Sequence, residues 1–282
     1  MTARTWFITG GTPGGFGMAY AEEALAAGDQ VVLTARRAAA ELSWSRAHEG
    51  RVLVLPLDVT SPPAVEAAVR AAEDRFGGID VLVNNAGRGW YGSVEGSSDE
   101  AVRKQLDLNF FAVLTVLRAV LPGMRARGSG WIINMSSVAG LRGVPGFGYY
   151  SAAKHALEAI TSVLRTEVAP LGIKVLAVEP GAFRTGAYAG FASEPVEEGI
   201  PDYHALLFDI RTSMIDQHGS QPGDPHRGAA AVLAAMSQDP PPHRLILGND
   251  AYDTVVRTLE DALADVRASE RLSRSADFPP AP

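Results

Sequence analysis

The chain has 282 residues, 46% hydrophobic and 20% charged, enough to bury the core of one α/β domain. Its formal charge of −7 comes with no basic stripe, which excludes the phosphate-neutralising surface that nucleic-acid binding requires. The absence of cysteine excludes disulfides, thiolate metal sites and cysteine nucleophiles, and no metal site is expected. Arg36-Arg37 is too short a basic run for a membrane patch. The N-terminus breaks off after three apolar residues, short of a signal-peptide core, and runs such as 229–236 are shorter than a membrane span. A soluble, cytoplasmic protein is expected.

Strand-length apolar runs alternate with helical patterns from the start. Residues 6–8 read as a strand leading into a glycine cluster, and 18–27 as a helix closed by Gly28. Strands follow at 31–33 and 52–57, then a helix at 65–76 ending on Gly77-Gly78, and a buried strand at 79–83. Long helices at 100–124 and 150–171 flank a strand at 131–135, and another strand follows at 174–178. Strands apolar throughout, each followed by a helix, predict a parallel sheet covered on both faces. The expectation is a single domain over 1–275 with a doubly wound, Rossmann-type α/β fold.

From 182 to 225 the clean periodicity gives way to glycines, prolines, acids and scattered aromatics. Such a stretch inside a domain predicts a lid over the substrate. A helix at 225–236, a break at Asp239-Pro240-Pro241-Pro242, a strand at 245–247 and a helix at 252–267 complete the pattern. The tail 276–282 should fray.

The cluster Gly10-Gly11-Thr12-Pro13-Gly14-Gly15-Phe16-Gly17 lies at the first strand-to-helix junction. Glycines there let the backbone approach a phosphate, whose charge the helix N-terminus stabilises. Its place in a doubly wound pattern favours a dinucleotide over an ordinary turn. After the second strand comes Thr34-Ala35-Arg36-Arg37, with no acid at the strand end. An acid would repel the 2′-phosphate of NADP, whereas a guanidinium grips it, so NADP(H) is favoured over NAD(H). The alternative is that both arginines are solvated loop charges.

Tyr150 and Lys154 are four residues apart, about 40° in projection on a helix, and so share one face. Tyr149 would lie about 140° from Lys154, which selects Tyr150. A phenol ordinarily titrates near 10, too high for easy proton exchange at neutral pH; a neighbouring ammonium favours the phenolate. Lowering it by roughly three units takes about 4 kcal/mol, which requires a partly dehydrated site. By itself the pair is weak, since any helix can carry a tyrosine and a lysine one turn apart.

In order along the chain stand the glycine loop, Leu57-Asp58-Val59, Asn84-Asn85-Ala86-Gly87, Asn109, Ser136-Ser137, Tyr150-x-x-x-Lys154 and Pro180-Gly181. Together they resemble the short-chain dehydrogenase/reductase family over nearly the whole chain. The resemblance implies an oxidoreductase in which Tyr150 exchanges the proton with the carbonyl oxygen. Lys154 would lower the phenol and bind the nicotinamide ribose, and Ser137 would orient the carbonyl. Ser136 has the opposite strand parity and should point away. Asn109 would hold a water linking Lys154 to solvent, or else pack as a helix amide. Asp58 and Val59 would sit at the adenine ring, although an acid at a strand end is often a turn former. Gly10, Gly11, Thr12, Gly15, Phe16 and Gly17 would meet the pyrophosphate, with Asn85 and Ala86 on the nicotinamide side and Phe183 and Thr185 closing over its amide. One departure stands out. The family loop runs Thr-Gly-x-x-x-Gly-x-Gly; Thr9-Gly10 fits its start and Gly15-x-Gly17 its end, with one extra residue between.

The segment 182–224 carries Phe183, Tyr188, Phe191, Tyr203, Leu206, Leu207, Phe208 and Met214. Facing inward they would favour an apolar or aromatic ketone or alcohol; equally, they could be the lid's own packing core. Glu179-Pro180-Gly181-Ala182-Phe183 with a long lid is similar to steroid- and retinol-type members. The leading expectation is an NADP(H)-dependent carbonyl reductase or alcohol dehydrogenase. An NADP(H)-binding sensor without turnover is the alternative from another class. A dehydratase or epimerase would use the same tyrosine but normally has a longer C-terminal domain. The resemblance also implies a homodimer or homotetramer through the helices starting near Glu100 and Tyr150.

Overall fold

In the computed structural model, which describes residues 3–36, 43–192 and 199–278, the first strand β1 (Thr5–Thr9) is central and fully buried. Its side chains alternate between two cores: Trp6 and Ile8 enter one, Phe7 the other. Three strands wind outward on one side: β1, β2 (Gln30–Ala35) and β3 (Val52–Pro56). On the other side stand β4 (Val81–Asn84), β5 (Gly130–Met135), β6 (Ile173–Pro180) and β7 (Arg244–Leu247). All seven pair in parallel, in the order β3-β2-β1-β4-β5-β6-β7. The order reverses between β1 and β4. Ligands of open α/β sheets bind at the carboxyl ends of the strands that flank such a reversal.

Helix α1 (Phe16–Ala26) covers one face of the sheet. After a short helix α2 (Ser43–Ala47), α3 (Pro62–Phe76) covers the other. Helix α3 opens with prolines in its first turn, where no N–H is missed, and stops at Gly77, whose φ of 83° is left-handed. The long helix expected at 100–124 is three pieces: α4 (Asp99–Leu106), a π-turn (Asp107–Phe111) and α5 (Ala112–Arg127). Val113, Val116, Leu117, Val120 and Met124 of α5 bury against the sheet. The continuous run Asp99–Arg127 is, by length and composition, apolar enough to cross a membrane, which the shorter runs read from the sequence did not anticipate. Helix α6 (Gly148–Val168) lies against the same core.

The region read as irregular contains two helices, α7 (Ala187–Ala192) and α8 (His204–Asp216). Helix α8 has no apolar stripe to read, because it fully buries only Leu207 and leaves Leu206 and Phe208 exposed. Helix α9 (Pro225–Met236) begins and ends where the sequence places it, capped by Asp224, whose side chain accepts from His226 N. Helices α10 (Asn249–Ala268) and α11 (Glu270–Arg274) follow β7, and from 257 onward nearly every described residue is exposed. Arg37 lies outside the described residues, as does most of the tail expected to fray.

Candidate active site

At Gly10, Gly11 and Gly17 the glycine loop leaves no room for side chains. A Cβ on Gly17 would stand 2.3 Å from Gly10 O, and one on Gly11 would stand 2.4 Å from Leu33 Cγ. Gly10, with φ at 79°, packs against Ala86. Gly11 N donates to Thr34 O at 2.7 Å, so Gly11 still belongs to the sheet edge. The extra residue is taken up further on, in a turn closed by Gly15 N to Thr12 O at 3.1 Å, with Gly14 at φ 74°. Thr12 and Gly14 are exposed there, and a Cβ on Gly14 would meet nothing within 4 Å. Helix α1 then starts with no side-chain cap at Gly15, leaving its first N–H groups to a ligand. Open space over the left-handed Gly14, at an uncapped helix N-terminus, fits a pyrophosphate.

Asn85 holds this loop in place, a role the sequence reading did not assign. Its Nδ2 donates to Thr9 O at 2.8 Å and Gly10 O at 2.9 Å. In return Thr9 Oγ1 accepts from Asn85 N and Ala86 N, each at 3.0 Å. The ends of β1 and β4 are thus locked together at the point where the sheet order reverses. Phe16 turns its ring onto Phe183, with centroids 4.8 Å apart, so its side chain packs the cleft wall and only its backbone faces the loop. Thr185 also lines the cleft, and its Oγ1 accepts from Ala187 N at 3.3 Å.

At the other end of the crevice Asp58 is exposed and forms a turn, its Oδ1 accepting from Thr60 N at 2.9 Å and Thr60 Oγ1 at 2.7 Å. These bonds, helped by the Arg36 guanidinium, hold its carboxyl below the ordinary range. Val59 is buried in the core beside α3. Arg36 is exposed, and its charge reaches Arg88 as well; burial first and Arg36 second push the Arg88 guanidinium down. Sequence reasoning missed Arg88, although it directly follows Asn84-Asn85-Ala86-Gly87.

Ser137, Tyr150 and Lys154 converge on a cleft of about 370 Å³ at the carboxyl end of the sheet. Tyr149 points elsewhere, its hydroxyl donating to Val94 O at 2.8 Å. Ser137 follows β5 in extended backbone, caps the next short turn through Ala139 N, and shares a hydrogen bond with Tyr150. Lys154 is 5% exposed and donates to Met135 O at 2.8 Å; its Nζ stands 5.8 Å from the Tyr150 ring centroid. Burial pulls this ammonium down to about 8. The phenol differs from the sequence expectation: burial raises it above its ordinary value, with Ser137 opposing and the Tyr188 phenol adding to the rise. Nζ is turned to a backbone carbonyl, and dehydration dominates the phenol.

Asn109 sits in the π-turn, fully buried. Its Nδ2 donates to Arg88 O and Gln105 O, both at 3.1 Å, and its Oδ1 accepts from Arg88 N at 3.2 Å. The amide is therefore engaged with backbone, as in the packing alternative. It nonetheless faces Lys154 across Gly87: a Cβ there would be 2.8 Å from Asn109 Oδ1 and 3.6 Å from Lys154 Nζ. The π-turn aims the amide inward, which 3.6-residue periodicity could not foretell.

The remaining wall is aromatic. Phe191 meets Tyr91 at 5.5 Å and Phe147 at 5.9 Å between ring centroids, both edge-on. Leu207 is fully buried among them, and Tyr150, Tyr188, Tyr203 and Met214 are partly buried against them. The aromatics of the 182–225 segment are thus both a packing core and, through Tyr188, Phe191 and Met214, the cleft wall. Tyr91 and Phe147, outside that segment, were not singled out in the sequence.

A loop shaped for a pyrophosphate beside a phenol and an ammonium defines a nucleotide-dependent oxidoreductase. The short chain dehydrogenase family model matches residues 4–195, and the chain belongs to that family, whose members use a nicotinamide cofactor. It is 36% identical over 258 residues to an oxidoreductase (BOA17) of Botryotinia fuckeliana, covering 91% of this chain and 93% of that one. It is 35% identical over 238 residues to a 3-ketodihydrosphingosine reductase of Bacteroides thetaiotaomicron, covering 84% and 86%. A short-chain dehydrogenase from Streptomyces avermitilis superposes with a TM-score of 0.88 at 40% identity, over 98% of this chain and all of that one. ElxO with NADP bound gives 0.70 at 26% identity, over 87% and 97%. At the level of the fold alone, a Burkholderia phymatum family member in complex with NAD gives 0.76 at 24% identity, over 99% and 97%.

Proposed function

We propose that this protein is an NADP(H)-dependent carbonyl reductase or alcohol dehydrogenase acting on an apolar ketone or secondary alcohol. The observation that carries the reading is the meeting of Ser137, Tyr150 and Lys154 at a cleft with the glycine loop at one end and the aromatic wall at the other. When bound, the nicotinamide would supply or accept the hydride. Tyr150 gives its hydroxyl proton to the carbonyl oxygen in reduction and takes one back in oxidation. A phenol raised by burial keeps its proton at neutral pH, which suits the donor role. The Ser137 hydroxyl orients the carbonyl oxygen, and Lys154 would hold the ribose hydroxyls and favour the phenolate as the proton leaves. Asn109 keeps the Arg88 backbone in place beside Lys154.

Preference for NADP(H) is supported by Arg36 at the end of β2 and by its mutual repulsion with Arg88, which a bound phosphate would relieve. The aromatic wall supports an apolar substrate, as does the relative named for reducing a ketodihydrosphingosine. Exposed Phe111 and Val163 support self-association through α4–α6. The test is a titration with NADPH and NADH by nicotinamide fluorescence, followed by carbonyl turnover with Tyr150→Phe as control. Tenfold tighter NADPH, about 1.4 kcal/mol, and turnover lost in the variant are expected. Equal affinities would overturn the NADP assignment, and turnover unaffected by Tyr150→Phe would overturn the mechanism.

A further inference from the structure

Four residues beyond Lys154, on the same face of α6, stands Glu158. Glu179 approaches it from β6 and Arg244 from β7, while Ser136 at the end of β5 turns toward it, away from Ser137. The Glu179 side chain is 0% exposed and that of Glu158 only 11%. Arg244 lies 3.8 Å from Glu158 Oε2 and 3.7 Å from Glu179 Oε1, too far for a hydrogen bond. Leu245 N donates to Glu179 Oε2 at 3.2 Å. Three oxygens, Ser136 Oγ, Glu158 Oε1 and Glu179 Oε1, have no hydrogen-bond partner among the described residues.

Two neighbouring buried carboxylates, each with one oxygen short of a donor, are costly side by side, and a single proton shared between them relieves both the repulsion and the missing donor. A protonated carboxyl becomes a donor, and the carboxylate beside it becomes the acceptor. The proton belongs on the deeper group: burial and the adjacent Glu158 charge push Glu179 up to about 8. Burial lifts Glu158 as well; Arg244 favours the charged form of both carboxyls, whereas Lys154 acts on Glu158 alone and so leaves the charge there. Lys154 needs such a partner. Its ammonium is buried on a backbone carbonyl, and Glu158 is the charge that counters its desolvation.

We propose that Glu158 and Glu179 share one proton, resting on Glu179, and that the carboxylate left on Glu158 keeps the Lys154 side chain an ammonium inside the protein. Glu158 is thus a positioning residue that acts through Lys154. This rests on the role given to Lys154 above and adds the group that sets its charge.

The chain contains only three lysines, Lys104, Lys154 and Lys174, so Lys154 can be followed alone. The full-length protein, labelled with ¹³C-lysine and free of cofactor, is titrated by NMR, with Lys104→Arg and Lys174→Arg assigning the signals. In Glu158→Gln the Lys154 midpoint should fall by about one unit. Glu179→Gln, which mimics the neutral acid, should move the midpoint much less than Glu158→Gln does. Should Glu158→Gln not fold, Glu158→Asp, with its carboxylate drawn back by one carbon, should give a smaller fall. An unmoved Lys154 in the Glu158 variant, or an equal fall in Glu179→Gln, overturns the proposal. Because the readout needs neither cofactor nor substrate, failure of NADPH to bind would break the functional reading and leave this one standing.

Discussion

The two ends of the cleft are made by opposite means. At the nucleotide end the surface is backbone: Gly10, Gly11 and Gly17 pack so closely that side chains from elsewhere, Asn85 and Thr9, do the holding. At the aromatic end the surface is side chain: Tyr91, Phe147, Phe191 and Leu207 hold one another, and the backbone of α7 and α8 follows. Backbone at contact distance tolerates no added atom, whereas interlocked rings tolerate exchange at constant volume. One end can therefore keep a fixed ligand while the other changes its substrate. Tyr150 belongs to both, touching Phe147 edge-on at 6.5 Å and bonded to Ser137.

The largest effect should come where the two ends meet. Tyr150→Phe should lower turnover by about 10²–10⁴-fold with cofactor affinity retained, read from initial rates and a fluorescence titration. At the aromatic end, Phe191→Ala should cost about 3–5 kcal/mol in urea unfolding, and Phe191→Leu, which leaves a smaller hole, less than that. A smaller loss on truncation would mean that the rings do not support one another. At the nucleotide end the pattern should reverse, since adding a single carbon is what does harm. Gly17→Ala pushes a Cβ to 2.3 Å from Gly10 O and should cost about 1–3 kcal/mol of stability along with cofactor binding. Arg36→Leu should erase the NADPH preference, about 1.4 kcal/mol, without weakening NADH. The smallest effect concerns pH. Because Glu179 is raised to about 8, it adds stability fully present below the ordinary carboxyl range and lost as the pH rises through about 8. Between pH 5 and 8 the wild type should therefore lose more stability than Glu179→Gln, by about 1 kcal/mol or more in urea titrations. The depressed Lys154 acts in a separate window, adding stability as the pH climbs from about 8 toward the ordinary lysine value.

Legibility in the sequence followed the locality of the forces. Helix α9 could be placed from residue 225 to 236 because a capping Asp224, Pro225 and a final break are all local signals. The strands could be read because both of their faces are buried. Helix α8 could not, since it buries one leucine and owes its position to rings from other elements. In the site, Tyr150 over Tyr149 followed from helix geometry alone, and Tyr149 indeed turns away to Val94. The direction of the Tyr150 shift did not follow. A spacing of four residues does not say whether Nζ faces the phenol or, as here, Met135 O.

By itself the sequence determined the alternating α/β order, the glycine loop with its extra residue, the face shared by Tyr150 and Lys154, and the family. Each of these is written in spacing of a few residues, where backbone geometry leaves little choice. The tertiary structure decided the rest: Asn85 clamping the loop, Arg88 beside Arg36, the joining of the 182–225 segment and the body into one aromatic wall, and Glu179 beside Glu158. These bring together residues from distant parts of the chain. Their chemistry depends on how much water is excluded when they meet, which only the packed molecule sets.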